Sequence, residues 1–309
     1  VKNISPTQIA WLAANPDRYR VDLLTITLPN GQIMRAVCGG AADLAYGGNT
    51  YFATANGSWS RGRETSEAMR GEIKSQSVDL TVSAAEGVVY PGTSVPMQET
   101  FALGVWDAAT VALTSISMPA GQWGTVEIAL QGFTGMVSEC RKTGRSTATL
   151  TCQDWLYLAN QQVPKRVIQP GCFNTFGDSS CTFTLIGFAN TVGAGFTGVI
   201  IPPASSWPAT DSRGNSLSGN YSGAGYFANG KVKWTSGQNS GFFSHIASQQ
   251  SITGATLVLA SPPPFPITLG DGFTAYGGCQ KTLGDCTVRW GNAAHFLGFP
   301  FVPPPEHSV

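Results

Sequence analysis

Two short segments constrain this chain more than any other feature: GCFNTFGDSSC, which carries Cys172 and Cys181, and GCQKTLGDC, which carries Cys279 and Cys286. Each places a glycine before its first cysteine and a Gly-Asp pair inside a polar, turn-forming loop. Four thiolates on two such loops can surround one metal centre, which makes the long stretch between them a folded insertion. Structural zinc favours shorter C-x₂₋₄-C knuckles, because a short loop brings both sulfurs to one ion. A cubane cluster is wider and asks for one thiolate per iron, so wider loops suit it. Spacing alone therefore ranks a [4Fe-4S] cluster somewhat above zinc and leaves both open, beside the plainer reading of four buried small hydrophobes.

The remaining cysteines are Cys38, Cys140 and Cys152, for a total of seven. An odd number in a chain whose first residues, VKNISPTQIAWLAANPDRYR, lack the apolar core of a signal peptide makes a disulfide framework a poor explanation. Those three read best as buried thiols, with Cys140 and Cys152 flanking the basic turn RKTGR and facing each other or the core. No apolar run reaches the roughly 18 residues of a membrane span, so the expectation is a soluble protein without a membrane anchor, made in the cytoplasm.

Charged residues make up 12% of the 309, against about 25% in an average soluble protein. Such a surface suggests large contacts with other chains. Lys plus Arg and Asp plus Glu balance at 18 each, so no long-range field draws the protein to nucleic acid or to an acidic membrane. The length favours two domains.

The chain opens on a helix with Ser5 as N-cap, Pro6 at the first helical position, Gln8 closing a capping box, and Ile4 placed to staple onto Ile9; Asn15-Pro16 ends it. Strands dominate from there. VDLLTITL and QIMRAVC flank the hairpin dipeptide Asn30-Gly31, and KSQSVDLTVSAAEG alternates as a strand. MQETFALGVWDAA has the spacing of one short helix before ATVALTSISM, and GTVEIALQGFTGMVSEC pairs with STATLTCQDWLYLAN across RKTGR. The first domain closes near Gln162–Arg166, giving domains 1–166 and 167–309. Beyond Pro170 the composition shifts to Gly, Ser, Asn and Pro, with strand signals in FTGVIIPP, YFANGKVKW and ATLVLASPPP, and Asn229-Gly230 reads as a type I′ hairpin. The fold class expected is mainly β, two β-rich domains with a few short helices.

Catalysis is weakly signposted. The sequence has no G-x-G-x-x-G after a strand, no P-loop and no G-x-S-x-G, and only three histidines. A redox relay is the enzymatic alternative, while four available cysteines argue against an open Lewis-acid iron. Trp207, Tyr226 and Trp234 in Gly- and Ser-rich surroundings suggest an aromatic sugar platform, although such residues are more often packed at hairpin ends.

GCFNTFGDSSC, VKWTSGQNSG, PPPFPITLGDGFTAYGGCQKTLGDC and RWGNAAHFLGFPFVP together resemble the hub proteins at the tail tip of long-tailed phages and phage-like gene transfer agents. WDAATVALTSIS and QGFTGMVSECRKTGRSTATLTCQDWLYLANQQV resemble the same family more loosely. The resemblance implies a C-terminal domain built around an iron-sulfur cluster, with Cys172, Cys181, Cys279 and Cys286 as ligands. It also implies a tail-tube-like N-terminal region and a homotrimeric ring between the distal tail protein and the distal hub and tail-fibre proteins of the virion. The lumen of such a ring admits DNA or a tape-measure protein. Where the family often carries Asn-Phe, this chain reads His295-Phe296-Leu297; an aromatic-flanked histidine is more often packed than a ligand.

Overall fold

The computed structural model describes residues 4–66, 76–159, 168–218, 220–221, 224–250 and 256–301. The chain is mainly β and divides into two compact units, Val1–Gln161 and Gln162–Val309. The boundary expected at Gln162–Arg166 lies outside the described residues.

The first unit opens on α1 (Pro6–Ala14), whose Ser5 and Gln8 satisfy each other's backbone amides as a capping box, with Asn15 at the C-cap. Seven strands then close into a barrel in the order β1 (Tyr19–Thr27), β2 (Ile33–Cys38), β5 (Ser58–Ser66), β6 (Gln76–Ser83), β9 (Thr147–Asp154), β8 (Ile128–Lys142) and β7 (Thr110–Met118). A small hairpin of β3 (Leu44–Tyr46) and β4 (Asn49–Tyr51) interrupts the run. All barrel pairings are antiparallel except the short parallel contact of Cys38 with Trp59 that joins β2 to β5. Period-two alternation explains the closure: Val78, Leu80 and Val82 of β6 and Ala148, Leu150 and Cys152 of β9 all point inward with no exposed surface. α2 (Met97–Thr100) and its following turns bring buried Trp106 against Trp59, Tyr90 and Phe101, with the indole N–H bonded to Thr100 Oγ1 at 2.9 Å. A last short helix, α3 (Leu156–Ala159), follows β9.

The β1–β2 hairpin forms where Asn30-Gly31 predicts it. Gly31 N–H bonds Leu28 O at 2.9 Å and Gly31 takes φ +84°, so the turn is a three-residue loop ending in a glycine bulge.

The second unit holds a six-stranded antiparallel sheet in the order β10 (Gly187–Thr191), β17 (Gly272–Tyr276), β14 (Lys231–Trp234), β15 (Phe243–Gln250), β16 (Thr256–Leu259) and β11 (Ile200–Ile201). The two-residue strands β12 (Asn220–Tyr221) and β13 (Ala224–Gly225) pair beside it. Tyr226, Phe227, Trp234 and Phe273 are fully buried in its core. The type I′ hairpin predicted at Asn229-Gly230 is not formed. Tyr226 and Phe227 lie in a turn, and Val232–Trp234 pair instead with β15 and β17. Asn229 takes φ +61° but Gly230 does not follow it into the left-handed region. Glycine is required there for space: a Cβ at position 230 would lie 2.2 Å from Tyr276 O.

Candidate metal centre

The two cysteine segments flank the sheet in the chain, the first preceding β10 and the second following β17. Each is organised by its own aspartate. In the first, Asp178 accepts the amides of Thr175 at 2.9 Å, Ser180 at 3.0 Å and Cys181 at 2.6 Å. The Cys181 amide does most to hold this carboxyl below the usual carboxylate range, with the Thr175 and Ser180 amides and the Lys281 charge adding to it against the opposing effect of burial. In the second, buried Asp285 accepts the Gln280 amide at 2.9 Å and the Trp290 indole N–H at 3.3 Å, and pairs with Arg289 at 3.4 Å. The aspartate of the Gly-Asp pair common to both segments thus ties each loop back beside a cysteine.

The second segment leaves β17 through Gly277 and Gly278 because nothing larger passes. A Cβ on Gly278 would lie 1.8 Å from Ala228 O and 2.4 Å from Gly230 N. Cys279 follows, and a π-helical turn over Asp285–Arg289 presents Cys286, whose amide bonds Thr282 O at 3.0 Å. Such turns are rare and concentrate at functional sites.

Cys172, Cys181, Cys279 and Cys286 all line one small cavity. Phe176 and Trp290 wall it, their ring centroids 4.7 Å apart, and Trp290 packs in turn against Phe183 at 5.1 Å and Tyr226 at 5.7 Å. The segments are also laced by the main chain: Cys172 N–H bonds Lys281 O at 2.8 Å, Phe173 N–H bonds Leu297 O at 3.1 Å, and Phe299 N–H bonds Gln169 O at 3.0 Å. Lys281 does this at φ +62°, an uncommon conformation for a side-chain-bearing residue, and its ammonium bonds Asn174 O. Asn292 ties the two segments through its side chain, donating to Cys181 O at 2.6 Å and to Cys181 Sγ at 3.5 Å. Asn174, Lys281 and Asn292 also line the cavity; all three stand inside the segments quoted above, where nothing in their spacing marks them.

The electrostatics favour a cation among these sulfurs. Burial first, then Asp285 and Cys286, push the Cys279 thiol up to about 11 despite the Lys281 amide and charge. Cys286 is raised by burial and then by Cys172, Cys181 and Asp285. All seven cysteines are free thiols. The donor set fits a thiolate-bound centre, since clustered thiolates need positive charge to coexist. Among the described residues, no group of three or more His, Cys, Asp or Glu side chains is positioned to hold a metal ion as it stands. The four thiols therefore share a cavity rather than a single coordination point.

The other candidates separate from this site. Cys38 and Cys152 are buried in the barrel and Cys140 is half-buried on β8; all three thiols are pushed up to about 12, first by burial. Cys140 and Cys152 do not face each other, because the register pairs Cys140 with Leu150 and Cys152 with Val137. His295 lines the cavity but is exposed, with Nδ1 3.0 Å from Asn292 Oδ1. The sugar platform is overturned: Tyr226 and Trp234 are fully buried, and Trp207 packs on Phe227 at 4.9 Å. A wider cleft between β8 and Asp154–Leu156 in the first unit has a single carboxylate and no comparable donor cluster.

Among the described residues no helix is long and apolar enough to cross a membrane. Residues 225–306 match the family described as "Phage conserved hypothetical protein BR0599". Residues 6–184, more than half of the chain, match "Baseplate hub protein, N-terminal attachment domain". Curated proteins give no match. Among solved structures, a chain of "Virion of native gene transfer agent (GTA) particle" shares the fold at a TM-score of 0.74 and 15% identity, over 97% of this chain and 94% of that one. The chain belongs to the baseplate hub protein family, as a structural component of the phage tail rather than an enzyme.

Proposed function

We propose that this baseplate hub protein is the proximal hub of the tail tip, a homotrimeric ring joining the distal end of the tail tube to the distal hub and fibre proteins. In this reading Cys172, Cys181, Cys279 and Cys286 hold a [4Fe-4S] cluster of mainly structural role. The observation that carries it is the gathering of those four thiols, from the two flanks of a complete sheet, around one cavity. When bound, the cluster supplies positive charge and four metal–sulfur bonds among groups that would otherwise repel. The chain's own part is to hold the two loops in shape through Asp178 and Asp285 and to lay the C-terminal stretch Leu297–Phe299 along Gln169–Phe173.

Assembly is supported by the surface. Val288 is 87% exposed, Phe301 90%, Leu269 67% and Ile168 66%, on a chain with few charges. On a tail-tip ring these are the side chains that neighbouring copies or partner proteins would cover.

Anaerobic purification with iron, acid-labile sulfide and zinc analysis tests the cluster. Iron and sulfide in equal amounts is the expected result; zinc with no sulfide, or no metal, overturns it. Electron microscopy of intact particles tests the ring, and six copies at the tip in place of three would refute the trimer. Cys279→Ser is expected to lower tail yield. If it lost the centre yet built normal tails that failed only at infection, the structural role would give way to a switching one.

A further inference from the structure

The four sulfurs are not equivalent. Cys172 Sγ receives the Leu297 amide N–H at 3.4 Å, Cys279 Sγ the Lys281 amide N–H at 3.4 Å, and Cys181 Sγ the Asn292 side-chain amide at 3.5 Å. Each of these donors stabilises a thiolate, and hydrogen bonds to charged groups are the stronger kind. Cys286 is placed the other way round. Its thiol is itself the donor, to the main-chain oxygen of Asn292 at 3.2 Å, and among the described residues no N–H is directed at its sulfur. Once this thiol is deprotonated to bind a metal, an electron-rich sulfur and a carbonyl oxygen face each other with no proton between them.

The carbonyl cannot easily turn away. It accepts the His295 N–H at 3.0 Å, while Asn292 N–H bonds Cys286 O at 2.9 Å and the Asn292 side chain donates to Cys181 O at 2.6 Å. Cys286 is also held, by its amide on Thr282 O at 3.0 Å in the π-helical turn. The unfavourable contact is therefore fixed from both sides.

We infer that Cys286 is the weakest of the four thiolate ligands, so that the iron it holds is the corner the protein gives up first. This rests on the cluster reading proposed above. Loss of that corner is balanced as [4Fe-4S]²⁺ → [3Fe-4S]⁺ + Fe²⁺ + e⁻. A one-electron oxidant takes the electron, and the freed Cys286 thiolate takes a proton from solvent.

The test uses the full chain, loaded with iron and sulfide under anaerobic conditions and verified by iron and sulfide analysis. Ferricyanide is added as the oxidant, iodoacetamide traps any freed thiol, and the alkylated cysteine is mapped by mass spectrometry. The [3Fe-4S] product is followed by electron paramagnetic resonance. The expected result is alkylation of Cys286 about tenfold above each of the other three, the ratio that one charge-assisted hydrogen bond supports. Equal labelling of the four, or preferential labelling of Cys172, Cys181 or Cys279, overturns the inference while leaving the cluster standing. Absence of iron and sulfide before oxidation overturns both. A second measurement avoids oxidation: Cys286→Ser should retain most of its iron and sulfide, and each of the other three Cys→Ser variants should lose most of theirs. Equal loss in all four contradicts the inference.

Discussion

Replacing Asp285 with alanine probes the buried, ion-paired carboxylate of the second cysteine segment. Its side chain and that of Arg289 are each only 2% exposed, and the two pair at 3.4 Å. Arg289 would remain buried over the Tyr226 ring at 4.9 Å and the Trp290 ring at 4.4 Å, still bonded to the Tyr226 carbonyl but without its carboxylate. Removing one partner of a buried pair costs about 3–5 kcal/mol, because the other charge stays desolvated. The Gln280 amide and Trp290 indole N–H would lose their acceptor as well, at about 1–3 kcal/mol each when left unpaired. These losses belong to one network and do not add, so about 3–5 kcal/mol in total is the working figure. Removing both charges, as Asp285→Leu with Arg289→Met, should cost only the orphaned amide and indole and so be milder than Asp285→Ala alone. Because two compact units break two-state behaviour, the assay is hydrogen exchange in peptides spanning Tyr226 to Trp290 of the metal-free full chain, read as local opening free energy. An Asp285→Ala opening free energy within about 0.5 kcal/mol of wild type, the range of ordinary surface changes, would refute the argument. So would a double variant as damaged as the single one.

Gly278→Ala should destabilise the second unit by about 1–3 kcal/mol or more, because the added Cβ meets backbone atoms at 1.8 and 2.4 Å that cannot swing aside; hydrogen exchange of second-unit peptides checks it. The barrel should weaken in alkali. Cys38, Cys140 and Cys152 have folded values raised to about 12, so their contribution is fully present below the unfolded value of about 8.5 and lost as pH climbs toward 12. Hydrogen exchange of barrel peptides against pH measures that slope, and Cys140→Ala should reduce it. The first cysteine loop should instead loosen in acid. Asp178 has a depressed folded value, so its contribution is present above about pH 3.9 and lost as pH falls through that lower value. The Cys181 amide resonance in metal-free protein should shift over that range, and should not in Asp178→Asn.

Local signals read true where the chemistry was local. Ser5, Pro6 and Gln8 fix the start of α1 with groups no more than three residues apart, and the alternation of Val78, Leu80 and Val82 settles which face of β6 is buried. Asn229-Gly230 misled because the glycine answers a non-local demand, the approach of Tyr276 O from β17. Trp234 and Tyr226 misled for a related reason: Gly- and Ser-rich neighbours mark loops, yet the aromatic rings between them form the core. The cysteine pairing was visible as repeated Gly, Asp and Cys positions, whereas Asn292 and Lys281 were not. What matters in these two is a backbone or amide group aimed at a sulfur more than a hundred residues away in one case, and a left-handed main-chain twist in the other.

The cross-ties change what a centre at this site has to do. A small metal domain that lacks a core folds only when metal arrives, because no site exists beforehand. Here the second unit already has a core of Tyr226, Phe227, Trp234 and Phe273, and its cysteine segments are already laced through Lys281, Leu297 and Asn292. A cluster standing in for a missing core is therefore not the role this unit calls for. What its core leaves weakly held is the final stretch, where Leu297 is 41% exposed, Phe299 51% and Phe301 90%. This stretch meets the rest of the unit chiefly through Leu297 on Cys172 and Phe173, and Phe299 on Gln169. In the proposed cluster, fixing Cys172 fixes the acceptor of the Leu297 amide. The centre would then act as a clamp on the C-terminal segment and the apolar surface it carries, with the sheet standing independently of it.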